Sequence, residues 1–139
     1  MDSLNFLYPI ELTSFNEIRG DLSAIEIPDS LSFQTKRIYF ISNVPSDSIR
    51  GAHAHKELKQ IFFALLGSFT LKVTDGKTTD QVKVASQSTG FFLPNGFWRE
   101  LSDFSQGAIC LVLASEHFDE KDYLNEMSDY LSWKNSNES

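Results

Sequence analysis

Apolar and polar residues alternate in short runs through the middle of the chain, and turn residues separate the runs. The segments 22–27, 36–42, 49–55, 60–66, 69–74, 81–85, 90–93, 97–101 and 108–114 are rich in Phe, Ile, Val and Leu. Roughly nine such strands, spaced about ten residues apart, predict an all-β barrel or sandwich. Gly67-Ser68 and Asp75-Gly76 are turn dipeptides that bracket 69–74 as the middle strand of a meander. The period changes near the end of the chain. Asp119 precedes Glu120, Lys121 and Asp122, acids suited to a first helical turn, and Leu124, Met127 and Leu131 then recur at i, i+3 and i+7 beside Tyr123 and Tyr130. A short C-terminal helix is expected there, closing one end of the barrel, with its Met and aromatics as packing groups. Residues 1–134 read as a single domain, and the polar residues 135–139 read as a disordered tail.

The 139 residues are 41% hydrophobic and 22% charged, enough apolar material for one packed core and too much for a disordered chain. The start has neither a basic region nor a long apolar one, so it does not read as a signal peptide. The longest apolar runs, 61–66 and 108–114, fall far short of the ~20 residues of a membrane helix. Cys110 is the only cysteine and lies inside the second run. It is expected as a small core residue, and with no disulfide partner it points to a reducing, cytoplasmic setting. The net charge of -7 excludes a general binder of nucleic acid or anionic membrane. Only Arg19, Arg37, Arg50 and Arg99 carry guanidinium groups, so any anion site is a local exception built from them and a few lysines.

The most informative stretch is Arg50-Gly51-Ala52-His53-Ala54-His55-Lys56. On a strand, His53 and His55 share one face while Ala52 and Ala54 share the other. Two imidazoles in one cavity ligate a metal or run proton transfers; on an outer face they are merely surface histidines. Spacing favours the cavity, because it resembles the cupin pattern. His53-x-His55 is followed after four residues by Gln60 and after six more by Gly67, and Pro94-x-Gly96 is followed after two by Arg99. The resemblance implies an all-β double-stranded β-helix, or jelly-roll, barrel. Gln60 stands where the metal-binding Glu belongs, and Arg99 where the third His belongs. A guanidinium has no lone pair to give and repels a divalent cation, so no metal is expected. Arg99 and two histidines instead make a positive cavity for an anionic or oxygen-rich ligand.

A narrower likeness runs from about residue 15 to residue 132. It is carried by Arg19-Gly20-Asp21-Leu22-Ser23, Lys36-Arg37-Ile38-Tyr39-Phe40-Ile41, the Arg50–Lys56 stretch, Pro94-Asn95-Gly96-Phe97-Trp98-Arg99-Glu100 and Phe118-Asp119-Glu120-Lys121-Asp122-Tyr123. Taken in order, these resemble the sugar 3,4-ketoisomerases. The resemblance implies metal-independent isomerisation of dTDP-4-keto-6-deoxyglucose to a 3-keto sugar. It also implies that no cofactor is used and that the enzyme is a homodimer with exchanged strands, whose product leads to amino sugars of surface polysaccharide or S-layer glycans. It ties the C4 configuration of the product to the Arg19 and Arg99 positions, Arg at the first going with galacto and at the second with gluco. This chain has both, so the configuration stays open, with a lean to gluco on Arg99.

Moving a carbonyl from C4 to C3 removes the C3 proton, passes through an enediol(ate) and returns a proton at C4. It needs a base, an acid and donors to an oxyanion. His53 is expected as the base and His55 as its assistant, polarising a sugar oxygen or relaying a proton between O3 and O4. Tyr39 is either a hydroxyl that binds the hexose or shuttles a proton, or a wall residue of the barrel. Arg50 adjoins the histidine strand and suits a diphosphate. Arg37 shares a face with Tyr39 or is a surface charge. Arg19, Arg99 and Gln60 complete the expected substrate-binding set, the first two near the hexose by the resemblance. Lys56 reads as a solvated edge charge. Two other readings remain: a dTDP-sugar 3,5-epimerase-like enzyme, which needs a His–Asp dyad whose Asp the sequence does not reveal, and a non-catalytic sugar-nucleotide-binding cupin.

Overall fold

Near the centre of the molecule two antiparallel strands, β6 (Gln60–Leu66) and β11 (Ile109–Ala114), lie side by side with Val112 opposite Phe62. The computed structural model describes residues 4–27 and 33–138. Around the central pair a five-stranded sheet is completed by β1 (Tyr8–Glu11), β9 (Thr89–Leu93) and β4 (Arg37–Ser42), in the order β1-β9-β6-β11-β4. A second sheet is ordered β12 (Tyr123–Leu124), β5 (Arg50–His55), β10 (Trp98–Ser102), β7 (Phe69–Thr74) and β8 (Thr79–Val84). β2 (Thr13–Glu17) and β3 (Gly20–Ala24) form a separate hairpin. Two facing antiparallel sheets with this order make the jelly-roll of the cupins, as the motif spacing predicts.

Phe62, Cys110 and Val112 point between the sheets and pack with Phe69, Leu71, Val73, Leu101 and Phe104. Ile61, Phe63 and Leu113 point the other way, where Leu12 and the flanking Ile10, Ile25 and Phe33 cover them. β6 is thus buried on both faces over most of its length, which explains its unbroken apolar run where a half-exposed strand alternates. Each Phe or Leu removed from water here contributes about 1.5–3 kcal/mol. Cys110 is fully buried, and burial pushes its thiol up to about 12, against a smaller opposing pull from Arg99, so it acts as a core residue.

All nine runs expected as strands contain a strand, most within two residues of the expected bounds, but β1, β2 and β12 were not legible. β1 carries Pro9, and β2 is mostly polar and exposed, so neither alternates cleanly. The C-terminal segment requires a correction. Asp119 caps a single 3-10 turn, Glu120–Asp122, by accepting from the Lys121 N–H at 3.0 Å. The chain then extends, pairing Tyr123 with His55 and Leu124 with Ala54, and the helix α1 begins only at Met127. The open edge of β5 supplies backbone partners that a helix at 119–124 would leave unused. α1 does not close an end of the barrel. It lies on the outer face of the second sheet, with Tyr130 buried against Ala54, Trp98, Leu124 and Trp133 and its hydroxyl donating to the Gly96 carbonyl at 3.0 Å. The stripe residues Met127 and Leu131 stay partly exposed. α1 runs to Glu138, through the segment whose polarity predicts a frayed tail.

Candidate active site

The strands that alternate apolar and polar residues aim their polar positions into one cavity. On β4, Ile38 and Phe40 face outward while Arg37 and Tyr39 turn in. On β5, Ala54 packs under the helix, so His53 and His55 face the other way. On β10, Trp98 packs with Ala54, which leaves Arg99, paired opposite His53, to point inward. The result is a cavity of about 250 Å³ lined by Arg37, Tyr39, Arg50, Gly51, His53, Arg99 and Tyr123, with Phe40 and Ile41 at its side.

Arg99 is the electrostatic centre. It is 3% exposed, and among the described residues no carboxylate lies within ion-pair distance of it. Its Nη1 donates to the Gly51 carbonyl at 3.1 Å and its Nη2 to the Tyr39 hydroxyl at 3.4 Å, while its buried Nε has no partner. Gly51 has φ +63°, and a Cβ there would strike the Arg99 guanidinium, so only glycine lets the two approach. A buried cation without a counter-ion is costly to keep, and it is an arrangement that gains from an anion entering the cavity. Gln60, 2% exposed, donates its Nε2 to the Tyr39 hydroxyl at 2.8 Å. The hydroxyl therefore accepts from Gln60 and Arg99 and keeps its own proton to donate. Burial raises the Tyr39 pKa above its ordinary value, with Arg99 pulling it down, so the phenol stays protonated.

His53 and His55 are joined Nε2 to Nε2 at 3.0 Å, their rings at right angles. Tyr123 packs on both, with centroids 4.8 Å from His53 and 4.4 Å from His55. Burial, then the Arg99 charge, lowers His53 to about 3 and His55 to about 2, so both are neutral imidazoles. His53 lines the cavity, whereas His55 lies behind it. Asp122 lies 3.5 Å from His55 Nδ1 and supplies the carboxylate partner that the sequence does not reveal.

Other expected residues take less central places. Arg50 lines the cavity from the exposed end of β5. Arg37 stacks over Tyr39 at 4.7 Å and over Phe118 at 5.5 Å. Gln60 reaches the site only through Tyr39. Arg19 is not brought to this cavity within the chain; it projects from the turn of the β2–β3 hairpin, 83% exposed, and pairs with Glu17 at 2.9 Å. Sequence reasoning missed Tyr123 and Asp122. Both stand in the last of the motif segments, but their acids and aromatics also fit a helix start, and that reading hid the strand pairing that aims Tyr123 at the histidines. At the four positions where metal-binding cupins carry ligands, this chain offers two mutually hydrogen-bonded imidazoles, an amide turned to a phenol and a buried guanidinium. That set does not fit a divalent cation.

Fold and site together define a cupin whose cavity presents a neutral imidazole, a phenol and an unpaired guanidinium. The model of the WxcM-like, C-terminal (FdtA) family matches residues 7–135, and the chain belongs to this family. A TDP-4-oxo-6-deoxy-alpha-D-glucose-3,4-oxoisomerase of Aneurinibacillus thermoaerophilus is 35% identical over 112 residues, 81% of each chain. The sugar 3,4-ketoisomerase QdtA of Thermoanaerobacterium thermosaccharolyticum, solved with TDP, superposes with a TM-score of 0.92 at 31% identity, covering 97% of this chain and 98% of that one. A 3,4-ketoisomerase of Helicobacter canadensis superposes with a TM-score of 0.88 at 35% identity, covering 93% and 97%.

Proposed function

We propose that this protein isomerises dTDP-4-keto-6-deoxyglucose to the 3-keto sugar by moving a proton from C3 to C4. The observation that carries this reading is the pairing, across one cavity, of the neutral His53 imidazole with the buried, unpaired guanidinium of Arg99. His53 takes the C3 proton. Charge then develops on the sugar oxygens as an enediolate, where Arg99 and the Tyr39 hydroxyl donate to it. Burial and, after it, the Arg99 charge depress His53; the oxyanion offsets the second of these, so His53 becomes more basic as the proton arrives. The O3 hydroxyl proton passes to O4 within the enediolate, and His53 then returns a proton to C4, leaving the carbonyl at C3. Arg50 and Arg37, at the cavity rim, suit the diphosphate. The relatives' named activities support the same reaction.

The protein is further proposed to act as a homodimer with exchanged strands. Among the described residues the strands of the β2–β3 hairpin pair only with each other, and Phe15 is 63% and Leu22 57% exposed, while the outward face of the edge strand β4 shows Ile38 and Phe40. In a second copy such a hairpin covers that face and brings Arg19 toward the hexose. The lone buried thiol of Cys110 supports a cytoplasmic setting, and a 3-keto product suits amino-sugar synthesis for surface polysaccharide. Among the described residues no helix is long and apolar enough to cross a membrane.

Incubation with dTDP-4-keto-6-deoxyglucose in deuterated water, followed by NMR, tests the reaction. The expected result is a 3-keto product with deuterium at C4, and deuterium at C3 of the 4-keto substrate re-formed by reversal, both abolished by His53→Asn with nucleotide binding retained. Exchange at C5 indicates an epimerase, and binding without exchange a sensor. The C4 configuration is read from the same spectra.

A further inference from the structure

Asp122 is held more firmly than a surface turn requires. One carboxylate oxygen, Oδ1, accepts from the Glu57 N–H at 2.7 Å, and Oδ2 accepts from the Leu58 N–H at 3.2 Å. Its backbone is fixed as well, with the Asp122 carbonyl accepting from Lys56 N–H at 3.0 Å and its N–H donating to Asp119 at 3.0 Å. The carboxylate is thereby clamped against the loop after β5, with Oδ2 3.5 Å from Nδ1 of His55. On the other side His55 is 4% exposed, and its Nδ1 is buried with no closer hydrogen-bond partner. The Tyr123 ring, 4.4 Å away and inclined at 71°, keeps the imidazole from turning.

The consequence follows from proton counting. Two neutral imidazoles facing each other through Nε2 share one proton: one ring donates and the other accepts. A carboxylate beside Nδ1 of His55 favours the proton on that nitrogen. Nε2 of His55 must then accept, Nε2–H of His53 must donate, and the lone pair of His53 lies on its Nδ1. In the opposite arrangement His53 is protonated at Nδ1 and has no free nitrogen with which to take a proton, because its Nε2 is occupied by His55. We propose that Asp122 is a positioning residue which, acting through His55, fixes His53 in the tautomer whose Nδ1 is the free base. The inference rests on His53 being the base of the proposed reaction; it adds which nitrogen acts and what selects it.

Nitrogen-15 NMR of the histidine rings in the substrate-free, full-length enzyme tests this directly. The expected spectrum shows His55 protonated at Nδ1 and unprotonated at Nε2, with His53 the reverse. Asp122→Asn keeps a carbonyl oxygen for the Glu57 N–H, gives up the longer contact from the Leu58 N–H, and turns an amide N–H toward His55. It is expected to invert both tautomers and to lower kcat about 10²–10⁴-fold, with KM changed less than about threefold. A wild-type spectrum with His55 protonated at Nε2 overturns the proposal, and this measurement stands even if the variant fails to fold. Inverted tautomers with kcat within about threefold of wild type also overturn it. A wild-type enzyme without isomerase activity overturns the functional reading instead, and the ring tautomers still decide the proton assignment.

Discussion

At the scale of single residues, the site is governed by one buried positive charge and its neighbours. Burial and, after it, the Arg99 charge hold His53 near 3 and His55 near 2. The base form of the free enzyme therefore persists far below the usual histidine range. The acidic limb of kcat/KM is expected well under pH 6, and a limb near 6.5 contradicts the assignment. The same shifts have a stability side. A histidine depressed on folding binds its proton more readily when unfolded, so its contribution is intact above the unfolded value of about 6.5 and declines as the pH falls toward the folded value. Much of this was legible in the chain. The period-2 placement of His53 and His55 and the charge of Arg99 at a metal-ligand position follow from identity and spacing alone. The Nε2 contact between the histidines and the burial depth of Arg99 depend on how two sheets close on each other, which spacing does not encode.

At the scale of elements, strands buried on one or both faces were legible because burial writes itself into hydrophobic pattern. β6 and β7 coincide with their expected ranges. β12 was not legible, since two residues carry no period and their conformation is set by the waiting edge of β5. The N-terminal segment shows another non-local device. Asp80 on β8, 3% exposed, accepts from the N–H groups of Asn5 at 2.8 Å, Phe6 at 2.6 Å and Leu7 at 2.9 Å. Burial works to raise this carboxyl, but the backbone donors outweigh it and leave it below its ordinary value. Asp80→Asn places an amide among three donors and is expected to cost about 1–3 kcal/mol in urea denaturation. A depressed carboxyl stabilises above its unfolded value and loses that contribution as the pH falls through the folded one. The wild-type advantage over Asp80→Asn is therefore expected to shrink on acidification below about pH 4. An advantage that stays constant down to pH 2 contradicts the clip.

At the scale of the whole molecule, an acidic chain gathers Arg37, Arg50 and Arg99 around one cavity and keeps its other arginine, Arg19, at a hairpin tip outside it. That tip and the bare outward face of β4 are the two halves of one proposed interface. Ile38→Asp, on that face and outside the cavity, is expected to give a monomer in sedimentation with isomerase activity reduced at least tenfold. A monomeric variant of full activity contradicts the shared site. In that proposed assembly the hairpin also sets how the enzyme responds to its own abundance. If one wall of each cavity belongs to another molecule, turnover obeys mass action in the protein itself, and activity per molecule falls when the enzyme is diluted below the concentration at which copies pair.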